Sequence, residues 1–391
     1  MSVGTVSVII PAYNQGHYLG EAVQSVLNQS YQDFELIIID DGSTDNTRQV
    51  AKSFSDARIR YTYQENSGLS AARNTGIRHA TGSFVTFLDS DDLFLAEKLN
   101  LLVAALENKP SDLASATSIG FVAGQAILID ANSRRLDKMV GTKLPDDNLQ
   151  LLLGNPLHVG SVLVRRSWLD KVGPFDESLR ACEDWDMWLR LAKAGCRMGW
   201  VARPVSLYRI HGQQMTRQAK RMRKAMLTVL DKTFNYPDLP ESWLAMRDRA
   251  YAAAYVKAAA RAYYTTALAS AKRDLAEAVR LDPSLLDHEA RKLTNQLAGW
   301  ANAPMVDDPL AYLERMYENL PDTLSRLRQR RRHHLGQIAM QMVFESYNKG
   351  DLAKTRSVIL RALRYQPSWL INRGVLSIFV RSYFHSLAKK A

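Results

Sequence analysis

A group of carboxylates follows one of the most apolar segments of the chain. Asp89, Asp91 and Asp92 come directly after the run "FVTFL", and Asp40 and Asp41 end an earlier apolar run. Carboxylates placed together repel one another unless a cation joins them, and a hard divalent cation prefers oxygen ligands. Magnesium is typically held by one or two carboxylates together with substrate phosphates. The pattern therefore predicts a metal site that works on a diphosphate substrate.

The first part of the chain alternates between strand and helix patterns, which would place these aspartates. Apolar runs of strand length fall at residues 6–10, 34–39 and 84–88, residues 58–63 suggest a further strand, and helical spacing falls between these segments. Such alternation predicts an α/β fold with a mostly parallel sheet flanked by helices. Ligands of parallel sheets bind outside the carboxyl ends of the strands, which is where the aspartates lie.

The second part of the chain reads as an all-α helical domain. Strand patterns end after residue 212, and alanine, leucine and arginine dominate from there, so we expect domains at residues 1–215 and 216–391. The segments "AVRLDPSLL" and "ALRYQPSWL" lie 84 residues apart and resemble the ends of tetratricopeptide helix pairs. Ordinary antiparallel helical hairpins are the alternative.

Five motifs in order give the first part a family resemblance. They are "SVIIPAYNQGHYLGEAVQSVLNQSYQDFELIIIDDGSTDNT", "NSGLSAARNTGI", "FLDSDD", "GSVLVRRSWLDKVGPFDESLRACEDWDMWLRLAKAG" and "YRIHG". Residues 5–215 thereby resemble family 2 glycosyltransferases of the GT-A fold, and the helical part lies outside the resemblance. The resemblance implies an inverting transfer from a nucleotide-diphospho-sugar, usually a UDP-sugar, to a saccharide or lipid-linked acceptor. The expected role is polysaccharide or cell-surface glycan synthesis.

The resemblance also implies roles for individual residues. The implied nucleotide-binding residues are Pro11, Ala12, Tyr13, Asp41, Asn66, Arg73, Asp89 and Ser90. The implied ligands of a Mn²⁺ or Mg²⁺ cofactor are Asp91, Asp89 and His211. Asp184 matches the catalytic base, with Glu183 beside it.

Inverting transfer needs these residue types. A carboxylate within hydrogen-bond reach can take the proton of the acceptor hydroxyl, which fits Asp184. A metal held by Asp91 can stabilise the charge that develops on the leaving diphosphate. No covalent intermediate is required, so we expect no role for Cys182 or Cys196 as a nucleophile.

Several of these residues also have a purely structural interpretation. The alternatives are helix caps for Asp92 and Asp184, surface positions for Arg73 and His211, and core packing rather than sugar stacking for Trp185 and Trp188.

Charge and cysteine content bear on location and partners. The net charge of +11 is concentrated in residues 217–391, which hold 30 Lys and Arg against 16 Asp and Glu. This surplus suits an anionic membrane surface or solvated helix faces, and we expect no nucleic-acid partner. Two cysteines favour a reducing compartment. Since neither a leader nor a spanning segment is expected, a cytoplasmic protein is predicted, with peripheral contact at the inner face of the plasma membrane as an extension.

The C-terminal segment "INRGVLSIFVRSYFHSLAKKA" predicts an amphipathic helix. Its apolar face would comprise Val375, Ile378, Phe379, Tyr383 and Leu387, surrounded by Arg373, Arg381, Lys389 and Lys390. An interfacial helix near anionic lipid has this pattern. A helix that closes the bundle is the alternative.

Two other functions compete with transfer. The helical part could recruit a protein or peptide partner, with the first domain as a platform of weak or no activity. An enzyme that makes the sugar nucleotide is disfavoured because "PAYNQGHYLGEAV" has no Gly-Arg-Lys signature. The sequence does not determine the donor sugar, the acceptor or the linkage.

Overall fold

A computed structural model describes residues 4–107, 119–144, 147–212, 214–303 and 306–384. The chain divides into two compact units, Met1–Ala250 and Tyr251–Ala391. The first unit extends past residue 215 and includes the helices that follow it directly. The domain boundary at residues 215/216 stays a prediction about where the transferase part ends.

Within the described residues of the first unit, nine strands form one sheet. They are β1 (Val6–Ala12), β2 (Phe34–Asp41), β3 (Ile59–Gln64), β4 (Phe84–Phe87), β5 (Leu93–Phe94), β6 (Phe121–Ile129), β7 (Arg135–Val140), β8 (Val162–Arg165) and β9 (Met198–Arg209). The strand order is β3-β2-β1-β4-β8-β6-β9-β5, with β7 paired to β6. The pairings among β1 to β4 are parallel, and the other half of the sheet mixes parallel and antiparallel pairs. The predicted fold class is confirmed, and its parallel character is concentrated in the first four strands.

Helices cover both faces of the parallel strands. The helices of this unit are α1 (Gly16–Leu27), α2 (Thr47–Lys52), α3 (Leu69–His79), α4 (Lys98–Glu107), α5 (Arg166–Val172), α6 (Glu183–Lys193), α7 (Ala219–Phe234), α8 (Glu241–Leu244) and the first turn of α9 (Arg247–Tyr264), most of which belongs to the second unit. Residues of α1 and α4 share one apolar core with alternate residues of β1 and β2. On the other face α3 approaches so closely that a Cβ at Gly76 would lie 2.3 Å from Ile9. Strands β1, β2 and β4 are therefore buried on both sides, which explains their continuous apolar sequences.

The sheet brings three strand ends to one place. Strand β1 lies between β2 and β4, with Ala12 level with Asp40 and Ile9 level with Phe87. The loops after all three strands therefore start at the same edge of the sheet, the edge where parallel sheets bind ligands.

The second unit contains an internal repeat in which two helices of the same lengths recur. Its helices besides α9 are α10 (Leu268–Leu281), α11 (Asp287–Gly299), α12 (Pro309–Glu318), α13 (Arg331–Asn348), α14 (Leu352–Tyr365) and α15 (Arg373–Phe384). Helices α13 and α14 begin and end 84 residues after α9 and α10, and a 3₁₀ turn starts at Pro283 and again at Pro367. Ala278 and its counterpart Ala362 are both fully buried. The repeat noticed in the sequence is thus a repeated pair of helices.

The C-terminal helix buries much of the face that the sequence suggested for lipid. Val375 and Ile378 are 1% and 8% exposed and pack in the core of the unit, whereas Leu376 and Val380 are 46% and 44% exposed. Leu387, Lys389 and Lys390 lie outside the described residues. The predicted apolar face therefore packs inside the second unit, as the alternative of a bundle-closing helix requires.

Among the helices that the structure describes, none is both long enough and apolar enough to span a bilayer.

Candidate active site

The first of the predicted site residues surround the ends of β1 and β2. Pro11 and Ala12 end β1 as buried residues, and the side chain of Tyr13 is exposed beyond them. Asp41 Oδ1 accepts hydrogen bonds from Gln64 Nε2 at 2.6 Å and the Ser67 amide at 3.0 Å. These contacts draw the loop after β3 over the strand ends.

Asp41 has a second set of contacts with the same loop. Its Oδ2 accepts a hydrogen bond from the Gly68 amide at 2.8 Å, and its carbonyl accepts one from Asn66 Nδ2 at 3.0 Å. An ionised carboxylate has about four lone-pair positions, so Asp41 keeps capacity for a further donor. The roles of Asp41 and Asn66 in binding a nucleotide stay predictions.

Arg73 on α3 joins two of the predicted motifs. Its guanidinium donates to Glu183 Oε1 at 2.5 Å and to Asp89 Oδ1 at 2.6 Å, and the side chain is 1% exposed. The two carboxylates hold the pKa of Arg73 above its usual value, although burial acts in the opposite direction. Arg73 is neither a surface charge nor open to solvent, and its predicted contact with nucleotide remains untested. What the structure shows is a link between the loop after β4 and the start of α6.

Asp184 lies in the first turn of α6, next to Glu183. Its Oδ2 accepts a hydrogen bond from Asn155 Nδ2 at 2.7 Å, and its Oδ1 accepts one from the Trp185 amide at 2.7 Å. Burial and the Glu183 carboxylate raise the pKa of Asp184 to about 7, and Arg73 opposes the rise. A half-buried carboxylate with a pKa near neutrality has the protonation behaviour of a general base. The N-cap position of α6 belongs to Cys182, not to Asp184.

Asp91 and His211 meet at the same edge of the sheet. His211 Nε2 lies 2.9 Å from Asp91 Oδ2, and both side chains are mostly buried. The third expected metal ligand, Asp89, is turned toward Arg73. In the part of the chain that the structure describes, no three His, Cys, Asp or Glu side chains form a group that could hold a metal ion.

The Asp91–His211 pair nevertheless fits a divalent metal by its chemistry. Mg²⁺ usually takes one or two carboxylates and completes its shell with substrate phosphates and water. Imidazole suits several first-row transition metals, and carboxylate suits Mg²⁺ and Mn²⁺. Two protein ligands plus a diphosphate would therefore be a sufficient set.

Comparison with known proteins identifies the family. The model of the family described as Glycosyl transferase family 2 matches residues 7–172. The UDP-Glc:alpha-D-GlcNAc-diphosphoundecaprenol beta-1,3-glucosyltransferase WfgD of Escherichia coli is 34% identical over 189 residues, which cover 48% of this chain and 70% of WfgD. The chain belongs to glycosyl transferase family 2. An uncharacterized glycosyltransferase of Rickettsia typhi is also 34% identical, and the alignment covers 48% of this chain but 58% of that relative.

Solved structures show the same fold for this family 2 chain. TarS 1-349 of S. aureus in complex with UDP-GlcNAc superposes with a TM-score of 0.50 at 18% identity, covering 93% of this chain and 92% of TarS 1-349. The mannosyltransferase PcManGT from Pyrobaculum calidifontis, in complex with GDP-Man and Mn²⁺, gives a TM-score of 0.50 at 18% identity. That match covers 81% of this chain and 87% of PcManGT. At such identities the likeness concerns the fold.

Arg209 fixes the Asp91 loop of this glycosyltransferase and was not among the predicted site residues. The buried Arg209 side chain donates from Nε to the Asp91 carbonyl at 2.6 Å, and its Nη2 lies 3.0 Å from Glu21 Oε2. Its guanidinium also lies over the Tyr18 ring, 4.4 Å from the centroid. Its place two residues before His211 in "YRIHG" was the available signal.

Two further polar groups near the site were also missed or left open. Asp92 is buried, accepts a hydrogen bond from the Arg209 amide at 2.8 Å and lies 3.1 Å from His158 Nε2, so it is not a helix cap. Burial raises the pKa of Asp92, and His158 opposes the rise. The partner of Asp184, Asn155, carries no sequence signal because it lies 29 residues away in an irregular segment.

Burial decides between the two interpretations of the tryptophans of α6, whereas the nucleotide-binding role of Ser90 stays a prediction. Trp185 and Trp188 are 2% and 0% exposed, and Trp188 packs edge-on against Phe121 at 4.9 Å. Both tryptophans therefore belong to the core, and sugar stacking is not their role. Ser90 is 6% exposed and lies between the two aspartates of the loop after β4.

Proposed function

We propose that the chain is an inverting, metal-dependent glycosyltransferase that moves a sugar from a nucleotide-diphospho-sugar to an acceptor hydroxyl. The observation that carries the proposal is the Arg73 bridge, which ties Glu183 beside Asp184 to Asp89 in the Asp-Ser-Asp loop. A base and a diphosphate site held in a fixed relation are what an in-line displacement requires.

Asp184 would act as the base. Its Oδ2 takes the proton of the acceptor hydroxyl as that oxygen attacks the anomeric carbon from the face opposite the diphosphate. Asn155 orients the carboxylate, and Arg73 holds the neighbouring Glu183 side chain by a hydrogen bond. Since one displacement inverts the anomeric centre, no nucleophilic side chain is involved.

Asp91 and His211 would hold a Mn²⁺ or Mg²⁺ ion. When bound, such an ion neutralises charge that develops on the leaving diphosphate. Arg209 keeps the Asp91 backbone in place, and Asp41 with its loop would face the base and ribose.

The donor is proposed to be a UDP-sugar. WfgD carries UDP-Glc in its name, the TarS 1-349 complex holds UDP-GlcNAc, and PcManGT was solved with GDP-Man and Mn²⁺. The acceptor is proposed to be a saccharide or a lipid-linked sugar of a polysaccharide or cell-envelope glycan, with the WfgD acceptor as support for the lipid-linked form.

The proposal is tested by hydrolysis of a panel of UDP-sugars in the presence of Mn²⁺. Asp184→Asn should lower turnover by about 10²- to 10⁴-fold, the usual contribution of a general base. Asp170→Asn, which changes an exposed aspartate of α5, should leave turnover unchanged. Equal turnover in all three proteins would remove Asp184 from the mechanism.

Peripheral contact with a cytoplasmic membrane face is proposed from the outward side of α15. Leu376 and Val380 are exposed there, and Arg373 and Arg381 are exposed on the same helix without an ion pair to any described carboxylate. Apolar side chains flanked by arginine favour binding at the boundary of an anionic bilayer.

Flotation with phosphatidylglycerol-containing vesicles tests this contact. Leu376→Asp/Val380→Asp should reduce the floated fraction several-fold, because two apolar groups are lost and two charges repel the lipid. Leu244→Asp, at a similarly exposed leucine in the first unit, is the matched control. Equal flotation of all three proteins would contradict the contact.

A further inference from the structure

A long basic stretch follows the residues of the proposed base. No acidic residue occurs from 187 to 230, and the same 44 residues contain ten arginines and lysines. The stretch runs through β9, past His211 and into α7. Its last part, "RQAKRMRK", has five basic residues in eight positions. Such a sequence has no internal partners for its charges.

Helix α7 packs against the loop that leads into α6. Met222 and Ala225 form a small apolar cluster with Ala181, two residues before Glu183. Arg221 Nη2 donates a hydrogen bond to the Arg180 carbonyl at 2.5 Å. The basic part of α7 therefore lies beside the segment that carries Asp184.

Arg180 reaches in the other direction, toward the loop that holds Asp41. A Cβ built on Gly68 would lie 3.3 Å from Arg180 Nη1. The Arg180 side chain thus extends from the segment before α6 to the loop after β3.

Two of these arginines have unsatisfied nitrogen atoms. Arg217 precedes α7 and Arg221 follows four residues later, and the Nε of each is buried without a hydrogen-bond partner. None of Arg180, Arg217 and Arg221 forms an ion pair with a carboxylate in the described parts of the chain. A buried donor without a partner is unfavourable, and neighbouring like charges add to that cost. An anion bound between these side chains would remove both penalties.

We propose that Arg180, Arg217 and Arg221 form a binding site for a phosphate or diphosphate group of the acceptor. The proposal rests on the proposed function and narrows its acceptor to a phosphate-bearing molecule. The guanidinium fork matches phosphate oxygens in pairs, and the three arginines come from two segments that meet at one loop. The donor diphosphate has its own place beside Asp91 and His211, whereas the arginines accompany the base, which must face the acceptor.

The site is tested with inorganic pyrophosphate, titrated calorimetrically into the full chain in EDTA and 150 mM NaCl. Without a metal ion the Asp91–His211 pair cannot hold a diphosphate, so binding reports on the arginines. We expect one pyrophosphate per chain and at least tenfold weaker binding in Arg217→Gln and in Arg217→Gln/Arg221→Gln. Substitution of Arg217 alone is the simpler test, because Arg221 also holds the Arg180 carbonyl by a hydrogen bond and its loss could shift that loop. Arg203→Gln, at an exposed arginine of β9, should bind as the wild type does.

Three outcomes would overturn the proposal. The first is no pyrophosphate binding by the wild-type chain. The second is equal binding by wild type and both variants, with melting curves showing that all are folded. The third is displacement of pyrophosphate by UDP in EDTA, which would mean that the arginines bind the donor nucleotide rather than the acceptor. Failure of the proposed function is distinguishable, because it appears as absent UDP binding with Mn²⁺ while the arginine-dependent pyrophosphate binding remains.

Discussion

Replacing Arg73 with methionine should destabilise the first unit strongly. The substitution keeps much of the side-chain volume but removes the charge that pairs with Glu183 and Asp89. The Glu183 side chain is 8% exposed, so its carboxylate would be left in the interior without its ion-pair partner. Asp89 is 30% exposed and would be solvated more easily. The loss is therefore dominated by the buried Glu183.

The size of the expected destabilisation follows from the free-energy cost of leaving one member of a buried ion pair without its partner. Removing one partner of such a pair costs about 3–5 kcal/mol. For a unit of this size each kcal/mol lowers Tm by about 2–4 °C, so the expected decrease is about 6–20 °C. Arg73→Met/Glu183→Gln removes the orphaned charge as well and should recover at least half of the loss.

Differential scanning calorimetry at pH 7.5 measures these changes. Arg78→Met removes an exposed arginine from the same helix and should change Tm by only about 1–2 °C, since such surface substitutions are worth about 0.5 kcal/mol or less. A decrease of less than 3 °C in Arg73→Met, or no recovery in the double variant, would refute the view that Arg73 holds the buried Glu183 in place.

Three predictions concern the reaction itself. The kcat/KM for donor turnover should rise with pH to a plateau above about pH 7, because the base Asp184 must lose its proton. Asn155→Ala should move that midpoint to higher pH, since the lost hydrogen bond favoured the ionised carboxylate; an unchanged midpoint would separate Asn155 from the base. His211→Ala should raise the half-saturating Mn²⁺ concentration at least tenfold with little change in Tm, and an unchanged metal dependence would exclude His211 as a ligand.

Asp184 also affects how stability depends on pH, and it does so in the direction opposite to a carboxylate stabilised by a salt bridge. Its pKa is raised in the folded chain, so the folded state holds the proton over a range in which the unfolded chain has lost it. Stability should therefore fall as pH rises from about 4 to 7. Asp184→Asn lacks this titration and should melt at a higher temperature than wild type at pH 8. A lower Tm would mean that the carboxylate is stabilised in the fold.

The sequence predicted the parts of the fold that depend on short-range patterns. The strands β1, β2 and β4 were expected within one or two residues, because a short, continuous apolar run between helical patterns is typical of a buried strand. Strand β7 and most of β9 were not expected. Strand β7, "RLDKMV", is mostly exposed, and β9 contains Arg203 and Pro204, so neither has the apolar signal of a buried strand.

The site was predictable where residues follow a strand end and not where long-range contacts decide. The carboxylates that end β2 and follow β4 lie at one edge of the sheet, as predicted. Both strands run parallel to β1, which lies between them. The Arg73 bridge to Glu183 spans 110 residues and depends on how α6 returns to the sheet. Likewise, Trp185 and Trp188 could be assigned to the core only once α6 had been placed.

Binding of UDP-sugars to the wild-type chain and to Asp91→Ala, with and without Mn²⁺, tests the central claim most directly. The account predicts that one UDP-sugar binds in the presence of Mn²⁺, and that removal of either the metal or Asp91 weakens binding at least tenfold. Binding that is equal in all four conditions would contradict the metal site. Absence of binding to any nucleotide-sugar would contradict the transferase itself and favour a platform whose helical part recruits a partner.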